Sequence, residues 1–341
     1  MEENKFYSLS KLLNEPKKIV IVPHINPDGD AMGSTLGLRS FLSAMGHLPV
    51  VISPNDYPEF LKWLPGNEQV IIFDQDPDRA ENIIKRADLI FTLDFNSLSR
   101  AGTKMAEILG ESQADFVLID HHQQPEDYAE YIYSDVNSSS TSELVYDFIN
   151  RLNKTHLITD RIATCLYAGI MTDTGSFRYP STSSNTHRVI ADLIDKGANN
   201  ALIHQNIFDT RTPDQLRLLG VALKNLKVLS SLNTAYITLT QKELDDHNFK
   251  KGDTEGFVNY GLSLKGIIFA VIFIENKEEE LIKISFRSKG EFDVNQFARN
   301  HFNGGGHKNA AGGRCQQSME ETVAFFEKTI KEYAGQLNQV L

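Results

Sequence analysis

The sequence has little of what marks secreted, membrane-spanning or disulfide-bonded proteins. Its 341 residues include only two cysteines, Cys165 and Cys315, which show no pairing pattern. So few cysteines favour a reducing compartment. No apolar run is long enough to cross a bilayer, and the first ten residues, MEENKFYSLS, lack a basic-then-apolar signal pattern. We therefore expect a cytoplasmic protein with no membrane association.

Basic residues are also scarce relative to acidic ones. The chain has 34 Lys and Arg against 45 Asp and Glu, which gives a formal net charge of -11. This balance argues against a protein that coats long duplex nucleic acid by general electrostatics. It permits an enzyme for short phosphorylated substrates, because cations bound to an aspartate cluster are not in the formal count.

The order of the expected elements indicates an α/β fold. The first half alternates short β-rich runs with helical patterns, which is typical of βαβ units in a parallel, Rossmann-like sheet. A helix is predicted over 33–45, and Ser140 to Glu143 has the spacing of a capping box at the start of another. The strands are predicted at 18–22, 47–53, 69–73, 88–93 and 115–119, and two later helices at 160–171 and 183–196.

The length and the later pattern together predict two domains. A polar-apolar helical run at 212–229 reads as a connector, and a smaller α+β domain with strands at 234–240, 266–275 and 281–287 follows it. We predict a catalytic domain over 1–205, a helical linker over 206–231 and a second domain over 232–341, with the active site in the cleft between the domains.

The first candidate site lies just after the strand at 18–22. The segment HINPDGD carries His24, Asp28 and Asp30 in a turn that Pro27 and Gly29 make sharp. Taken alone, such a segment is more often a solvated turn that caps the next helix. Ligands at the carboxyl end of a parallel strand are nevertheless where open α/β sheets place their chemistry.

The same residue types recur at other strand ends, which favours a metal site. Asp94 ends one predicted strand, Asp120, His121 and His122 end another, and Asp173 follows the helix at 160–171. So many buried carboxylates would force one another to take up protons unless cations compensated them. Mixed His and Asp ligands without thiolates suit manganese, with magnesium, iron or cobalt as substitutes, and they suffice for a two-ion site that activates water.

Four segments in this order resemble the motifs of the DHH phosphoesterase superfamily: PHINPDGDAMGS, TLDFN, IDHH and MTDTGSF. GGGHKNAAGG, at 304–313, resembles the glycine-rich signature of the DHH-associated C-terminal domain. The resemblance spans nearly the whole chain. Its size and its ending resemble the nanoRNase/pAp-phosphatase branch, which includes stand-alone cyclic-dinucleotide-linked phosphodiesterases.

The resemblance implies a role for each matching residue. One ion would be held by His24, Asp28 and Asp94. The second would be held by Asp30, Asp94, His121 and Asp173, with Asp94 bridging the two. His122 would donate to the scissile phosphate as a catalytic residue beside Asp94, and Asp120 would orient an imidazole.

The substrate-binding candidates lie mainly in the second domain. Gly304, Gly305 and Gly306 would let a phosphate or sugar approach the backbone, and their N–H groups could form an anion nest; a flexible surface turn is the alternative. His307 would contact a phosphate or a base. Arg287 is the natural phosphate clamp, because guanidinium binds phosphate bidentately. Arg178 has two alternative roles, contact with the substrate or a salt bridge with a nearby carboxylate.

The function implied is hydrolysis of short RNA or DNA oligonucleotides and linear dinucleotides, such as pApA and pGpG, to mononucleotides, and of pAp to AMP. A hydroxide shared by two metal ions would attack the phosphorus. The alternatives are a family-II-like inorganic pyrophosphatase and a non-catalytic nucleotide sensor. Cyclic dinucleotides stay open as substrates beside these, magnesium stays open as the metal beside manganese, and a homodimer is one assembly open to the chain.

Overall fold

The computed structural model describes residues 1–338, and its contacts divide the chain into two compact units, Met1–Thr210 and Arg211–Leu341. Each unit is built on its own six-stranded sheet with helices, so the predicted fold class, a parallel-sheet α/β domain followed by a smaller α+β domain, is confirmed. The domain limits drawn from the sequence stay a prediction, and residues 339–341 of the second domain lie outside the described residues.

The first unit is a parallel α/β sheet. Its strands lie in the order β3-β2-β1-β4-β5-β6, and every neighbouring pair is parallel. Its elements are α1 (Glu3–Leu12), β1 (Lys18–Pro23), α2 (Gly29–Ala44), β2 (Leu48–Ser53), β3 (Ile71–Ile72), α3 (Pro77–Ile84), β4 (Leu89–Leu93), α4 (Thr103–Gly110), β5 (Asp115–Asp120), β6 (Tyr131–Ser134), α5 (Thr141–Arg151), α6 (Asp160–Asp173), α7 (Ser184–Asp195) and α8 (Asn200–Phe208).

Both faces of this sheet are buried, which explains the unbroken apolar run in β1. Ile19 and Ile21 point into the core that α2, α5 and α6 cover, while Val20 and Val22 point into the core beneath α3 and α4. Successive side chains of a strand alternate between faces, so a strand covered on both sides must be apolar throughout.

Helices α2 and α6 approach each other at glycines. A methyl group on Gly33 would lie 2.6 Å from the Cys165 carbonyl oxygen and 2.8 Å from the Gly169 nitrogen. Gly29 faces Thr172 and Gly37 faces Leu166, so the two helices run antiparallel. The start of α2 and the end of α6 therefore lie together, at the carboxyl end of the sheet.

The second unit is a mixed sheet in the order β11-β12-β10-β9-β8-β7, in which β8 and β9 are parallel and the other pairs are antiparallel. A phenylalanine-rich core fills one face, and the α9 and α11 side chains cover the other. Its elements are α9 (Pro213–Lys224), β7 (Lys227–Leu229), β8 (Thr234–Leu239), α10 (Gln241–Asp245), α11 (Phe257–Leu262), β9 (Phe269–Asn276), β10 (Leu281–Ser288), α12 (Val294–His301), β11 (Gly305–His307), β12 (Ala310–Cys315), α13 (Met319–Thr329) and α14 (Ala334–Leu337).

The structure corrects three local predictions. Helix α2 begins at Gly29 instead of residue 33, because the Asp28 carboxylate caps it by accepting from the Asp30 and Ala31 N–H groups. The run at 212–229 is not one helix, since α9 ends at Lys224 and 227–229 form β7. Ser140 does cap α5, but Glu143 bonds Ser139 and α7 side chains instead of closing the expected capping box.

Within residues 1–338, no helix combines the length and the apolar character needed to span a bilayer.

Candidate active site

The candidate metal ligands gather where the strand order reverses direction. After β1 the chain builds β2 and β3 on one side and returns to β4 on the other, so the crevice lies between the ends of β1 and β4. Such a switch point is where open α/β sheets bind ligands. His24 follows β1, Asp94 follows β4, and Asp120 is the last residue of β5.

Asp94 lies at the centre of the group and its two oxygens face different histidines. Oδ2 is 3.5 Å from His24 Nε2, while Oδ1 is 3.5 Å from His121 Nε2. Asp94 has a positive φ of 65°, which is uncommon for residues other than glycine, and the residue is only 2% exposed. This arrangement suits a carboxylate that bridges two cations.

Each of these histidines directs the same ring nitrogen toward the carboxylates. His24 Nδ1 lies 2.8 Å from the Ile25 carbonyl oxygen, and His121 Nδ1 lies 3.3 Å from that of Ser138. A proton on Nδ1 that bonds to a backbone carbonyl leaves the Nε2 lone pair for a metal. The backbone therefore favours the tautomer that a metal ligand needs.

Three further carboxylates complete the group. His121 Nε2 is 3.5 Å from Asp173 Oδ2 and 3.9 Å from Asp30 Oδ2, and His24 Nε2 is 3.9 Å from Asp28 Oδ1. Asp28 is the solvent-facing member, since its side chain is 52% exposed. The six predicted ligands thus lie together in the first unit, and both expected ligand sets share Asp94.

The electrostatics of the group call for positive charge. Burial, and then the charges of Asp30 and Asp28, raise the pKa of Asp94 well above its usual range. Burial would lower the pKa of His121, but the carboxylates of Asp173, Asp94 and Asp30 outweigh it and raise this pKa to about 9. Without a cation, the group would have to bind protons to relieve its repulsion.

The residues fit divalent ions. Two ligand atoms that each lie about 2.1 Å from one ion are roughly 3 to 3.5 Å apart. The His24 and His121 contacts with Asp94, at 3.5 Å, match that spacing and are too long for good hydrogen bonds. His24, Asp28 and Asp94 form one group that could hold a metal ion, and Asp30, Asp94 and His121 form another.

His122 differs from its neighbour in what holds it. Its Nδ1 lies 2.7 Å from Asp120 Oδ1, and the other Asp120 oxygen is buried without a hydrogen-bond partner in the described part of the chain. Burial lowers the pKa of His122, Asp120 opposes that change, and the charges of His121 and Arg100 lower the pKa further. Asp120 thus contacts the His122 imidazole directly, and the orienting role that the resemblance implies for it stays a prediction.

Two residues beside this group were not predicted from the sequence. Thr141, the first residue of α5, donates its hydroxyl to Asp94 Oδ1 at 2.9 Å. Arg100 is half-buried, accepts the Ile25 N–H at its carbonyl, and its guanidinium has no hydrogen bond or ion pair among residues 1–338. Neither carries a motif of its own, although both lie within seven residues of a predicted ligand or helix cap.

Arg178 lies on the turn that follows α6. Its Nε donates to the Gly175 carbonyl at 2.7 Å, and the side chain is exposed. Within the described residues it forms no ion pair, so the salt-bridge alternative finds no support. Phe177, next to it, packs against the core ring of Tyr167.

Arg287 and His307 share one face of the second sheet. Arg287 on β10 is paired with Ala310 on β12, and Ala310 is paired with His307 on β11. Directly paired residues point to the same side, and strands two places apart are roughly 10 Å distant. Arg287 also lines a concave site of about 260 Å³ with Thr254, Glu255 and Ser285, and it has no ion-pair partner in the described residues.

The glycine segment is a strand instead of a loop with free N–H groups. Gly305 and Gly306 pair with β12, and the N–H of Gly306 donates to the buried Asn295 Oδ1 at 3.0 Å. Gly304 donates its N–H to Ala298. The expected anion nest is therefore wrong at these two amides. The glycines are needed for close approach, since a methyl group on Gly304 would lie 2.0 Å from the Gly312 carbonyl oxygen.

Comparison with known families gives two matches. Residues 18–170 match the DHH family, N-terminal domain. Residues 232–336 match the DHHA1 domain. The first range carries the segments PHINPDGDAMGS, TLDFN and IDHH and ends just before MTDTGSF. The second range carries Arg287 and the glycine segment that begins at Gly304.

Individual relatives cover nearly the full chain. A Thermus thermophilus protein named bifunctional oligoribonuclease and PAP phosphatase NrnA is 30% identical over 316 residues, which cover 91% of this chain and 89% of the relative. The Bacillus subtilis protein of the same name is 27% identical, with 92% and 95% covered. A solved structure of an exopolyphosphatase-related protein from Bacteroides fragilis is 40% identical, with a TM-score of 0.95 and coverage of 99% and 98%.

Proposed function

The chain belongs to the DHH family and carries a DHHA1 domain, and on that premise we propose that it is a metal-dependent phosphoesterase of short oligonucleotides. Its substrates are short RNA or DNA oligonucleotides and linear dinucleotides such as pApA and pGpG, which it cleaves to mononucleotides. We include pAp, cleaved to AMP, because relatives that align over most of both chains are named for both activities.

The observation that carries this proposal is the position of Asp94. One buried carboxylate faces His24 through one oxygen and His121 through the other, each at 3.5 Å. A single carboxylate between two imidazoles, with three more carboxylates around them, is the donor set of a two-ion site. Bound cations would offset the cost of placing these acidic groups together at one strand switch point.

We assign one ion to His24, Asp28 and Asp94, and the other to Asp30, Asp94, His121 and Asp173. Manganese fits the mixed imidazole and carboxylate donors best, with magnesium or cobalt as substitutes. When bound, the two ions supply Lewis-acid activation of water and neutralise charge on the phosphate. This is the reason that no side-chain nucleophile is required.

The remaining side chains bind and orient the substrate. His122, held by Asp120, donates from Nε2 to an oxygen of the scissile phosphate. The negative charges of the phosphate and of Asp120 favour the imidazolium that this requires, against the burial that lowers the pKa of His122. Arg287 takes a terminal phosphate of the nucleotide through its guanidinium. His307 and the close-packed glycines Gly304, Gly305 and Gly306 contact the same nucleotide, and Arg178 offers a second cation.

Two alternatives compete with this proposal. A pyrophosphatase would use the same ions on pyrophosphate, and a nucleotide sensor would bind substrate without cleaving it. A sensor needs no intact ligand set, whereas here all six predicted ligands lie together. This favours catalysis.

The test is a side-by-side substrate panel. Purified full-length protein with Mn²⁺ is incubated with pApA, pGpG, a short RNA, pAp, a cyclic dinucleotide and pyrophosphate, and the products are separated by chromatography. We expect mononucleotides from the linear substrates and AMP from pAp. The matched control is Asp94→Ala, which should abolish release from every substrate because both ions lose a ligand.

Three results would overturn the proposal. Cleavage of pyrophosphate alone would favour the pyrophosphatase. Tight binding of pApA without any product would favour the sensor. Equal activity of wild type and Asp94→Ala would mean that the metal group is not the active site.

A further inference from the structure

Thr141 contacts two of the proposed metal ligands at once. It is the first residue of α5, where the backbone N–H groups have no partner within the helix. Its N–H donates to Asp30 Oδ2 at 2.6 Å, and the N–H of Ser142 donates to Asp30 Oδ1 at 2.9 Å. Asp30, from a helix more than 100 residues earlier in the chain, is therefore fixed by both of its oxygens.

The Thr141 side chain serves the other carboxylate. Its hydroxyl donates to Asp94 Oδ1 at 2.9 Å, and Thr141 is fully buried. The last torsion of an aspartate is soft, so its carboxylate rotates easily unless something holds it. The backbone at Asp94 fixes where the side chain starts, but only a bond to one oxygen fixes the plane of the carboxylate.

The orientation of that plane decides which oxygen faces which histidine. With Oδ1 held by Thr141, Oδ1 faces His121 and Oδ2 faces His24. A rotation of the carboxylate would move both oxygens away from the imidazoles together. The two proposed ion sites therefore depend on one hydroxyl that is not itself a ligand.

We propose that Thr141 is a positioning residue that locks the Asp94 carboxylate between the two ion sites and ties it to Asp30. The proposal rests on the metal binding assumed in the proposed function, but not on any choice of substrate. Hydrogen-bond partners of metal ligands typically contribute 10–100-fold to metal affinity. The backbone bonds to Asp30 do not depend on the side chain, so a substitution at Thr141 isolates the hydroxyl.

The test measures metal affinity without substrate. Metal-free full-length protein is titrated with Mn²⁺ by calorimetry, as wild type, Thr141→Val, Thr141→Ser and Ser140→Ala. Valine keeps the shape of threonine and removes the hydroxyl. We expect Thr141→Val to raise the Mn²⁺ Kd by about 10–100-fold, and Thr141→Ser to restore it to nearly the wild-type value.

Ser140→Ala is the matched control for a purely structural role. It removes the neighbouring hydroxyl, which caps α5 by accepting from the Glu143 N–H at 3.0 Å instead of bonding to Asp94. We expect it to lower the melting temperature and to leave the Mn²⁺ Kd close to that of wild type. If Thr141→Val does not fold, Thr141→Ala gives the same comparison.

The inference is wrong if Thr141→Val binds Mn²⁺ as tightly as wild type, or if Ser140→Ala weakens binding equally. It is also wrong if Thr141→Ser fails to restore affinity. Because no substrate is present, these results are separate from the substrate panel. A protein inactive on every phosphate ester would refute the proposed function, and the Thr141 titration would still decide this inference.

Discussion

At the scale of single residues, the site depends on where the backbone is strained. Asp94 has a left-handed φ of 65°, a conformation that costs a residue with a side chain free energy and persists only where its surroundings impose it. Its N–H bonds to the Ile119 carbonyl of the neighbouring strand. The backbone thereby turns at the end of β4 and directs the carboxylate between His24 and His121 instead of along the strand.

Substitution of the two adjacent histidines of the IDHH segment should affect metal binding and activity differently. His121 faces three carboxylates, whereas His122 is held by Asp120. We expect His121→Ala to weaken Mn²⁺ binding and to abolish activity. We expect His122→Ala to leave the Mn²⁺ Kd nearly unchanged and to lower kcat by about 100–1,000-fold, the usual effect of losing one donor to the transition state.

Calorimetric titration with Mn²⁺ and steady-state kinetics on pApA would separate these two roles. Equal loss of metal affinity in both variants would place His122 among the ligands. An unchanged kcat in His122→Ala would remove it from the catalytic residues.

At the scale of secondary-structure elements, the spacing of α2 and α6 sets the site. Helix α2 begins at the ligand group, with Asp30 in its first turn, and α6 ends there, with Asp173 as its last residue. Glycines at the crossing bring the two backbones into contact, as at Gly33 and Gly169. Any side chain there would separate the two carboxylates that share the second ion site.

We therefore expect Gly33→Ala to damage both stability and metal binding. Its methyl group would lie 2.6 Å and 2.8 Å from backbone atoms of α6, which cannot move as a side-chain tip can. Overpacking of this kind costs about 1–3 kcal/mol of unfolding free energy. Denaturant unfolding and Mn²⁺ titration would show a lower midpoint and weaker binding.

Gly110→Ala is the control, since it lies on α4 in the same unit and nothing is within 4 Å of the added methyl group. It should be neutral or slightly stabilising. If Gly33→Ala matched Gly110→Ala in stability and in Mn²⁺ affinity, the close helix contact would have no role in the site.

The same elements show what sequence can and cannot predict. His24, Asp94 and His121 were predictable, because each follows a short apolar strand and parallel strands end at one edge of a sheet. The hydroxyl of Thr141 was not, since its bond to Asp94 joins residues 47 positions apart. The glycine segment at 304–307 was wrongly predicted as a loop with free N–H groups, because glycines occur both in free loops and in closely packed hairpins. Only the pairing with β12 distinguishes the two cases.

At the scale of the whole molecule, the two sets of candidate residues belong to different units. Every proposed metal ligand lies in the unit Met1–Thr210, whereas Arg287 and the glycine segment that begins at Gly304 lie in Arg211–Leu341. Each unit has hydrophobic clusters of its own. Units with separate cores commonly unfold in separate steps, so a ligand can stabilise one step and not the other.

Bound metal should therefore raise the midpoint temperature of only one unfolding transition. We expect calorimetry of the metal-free protein to show two unfolding transitions. Mn²⁺ should raise the midpoint temperature of the first unit's transition and leave that of the other unchanged. A free concentration 100 times the Kd adds about 2.7 kcal/mol for each site. Relief of the repulsion that raises the pKa of Asp94 is the physical source of this gain. Asp94→Ala should lose the Mn²⁺ shift and keep both transitions, whereas an equal shift of both transitions in wild type would mean that the ions also bind the second unit.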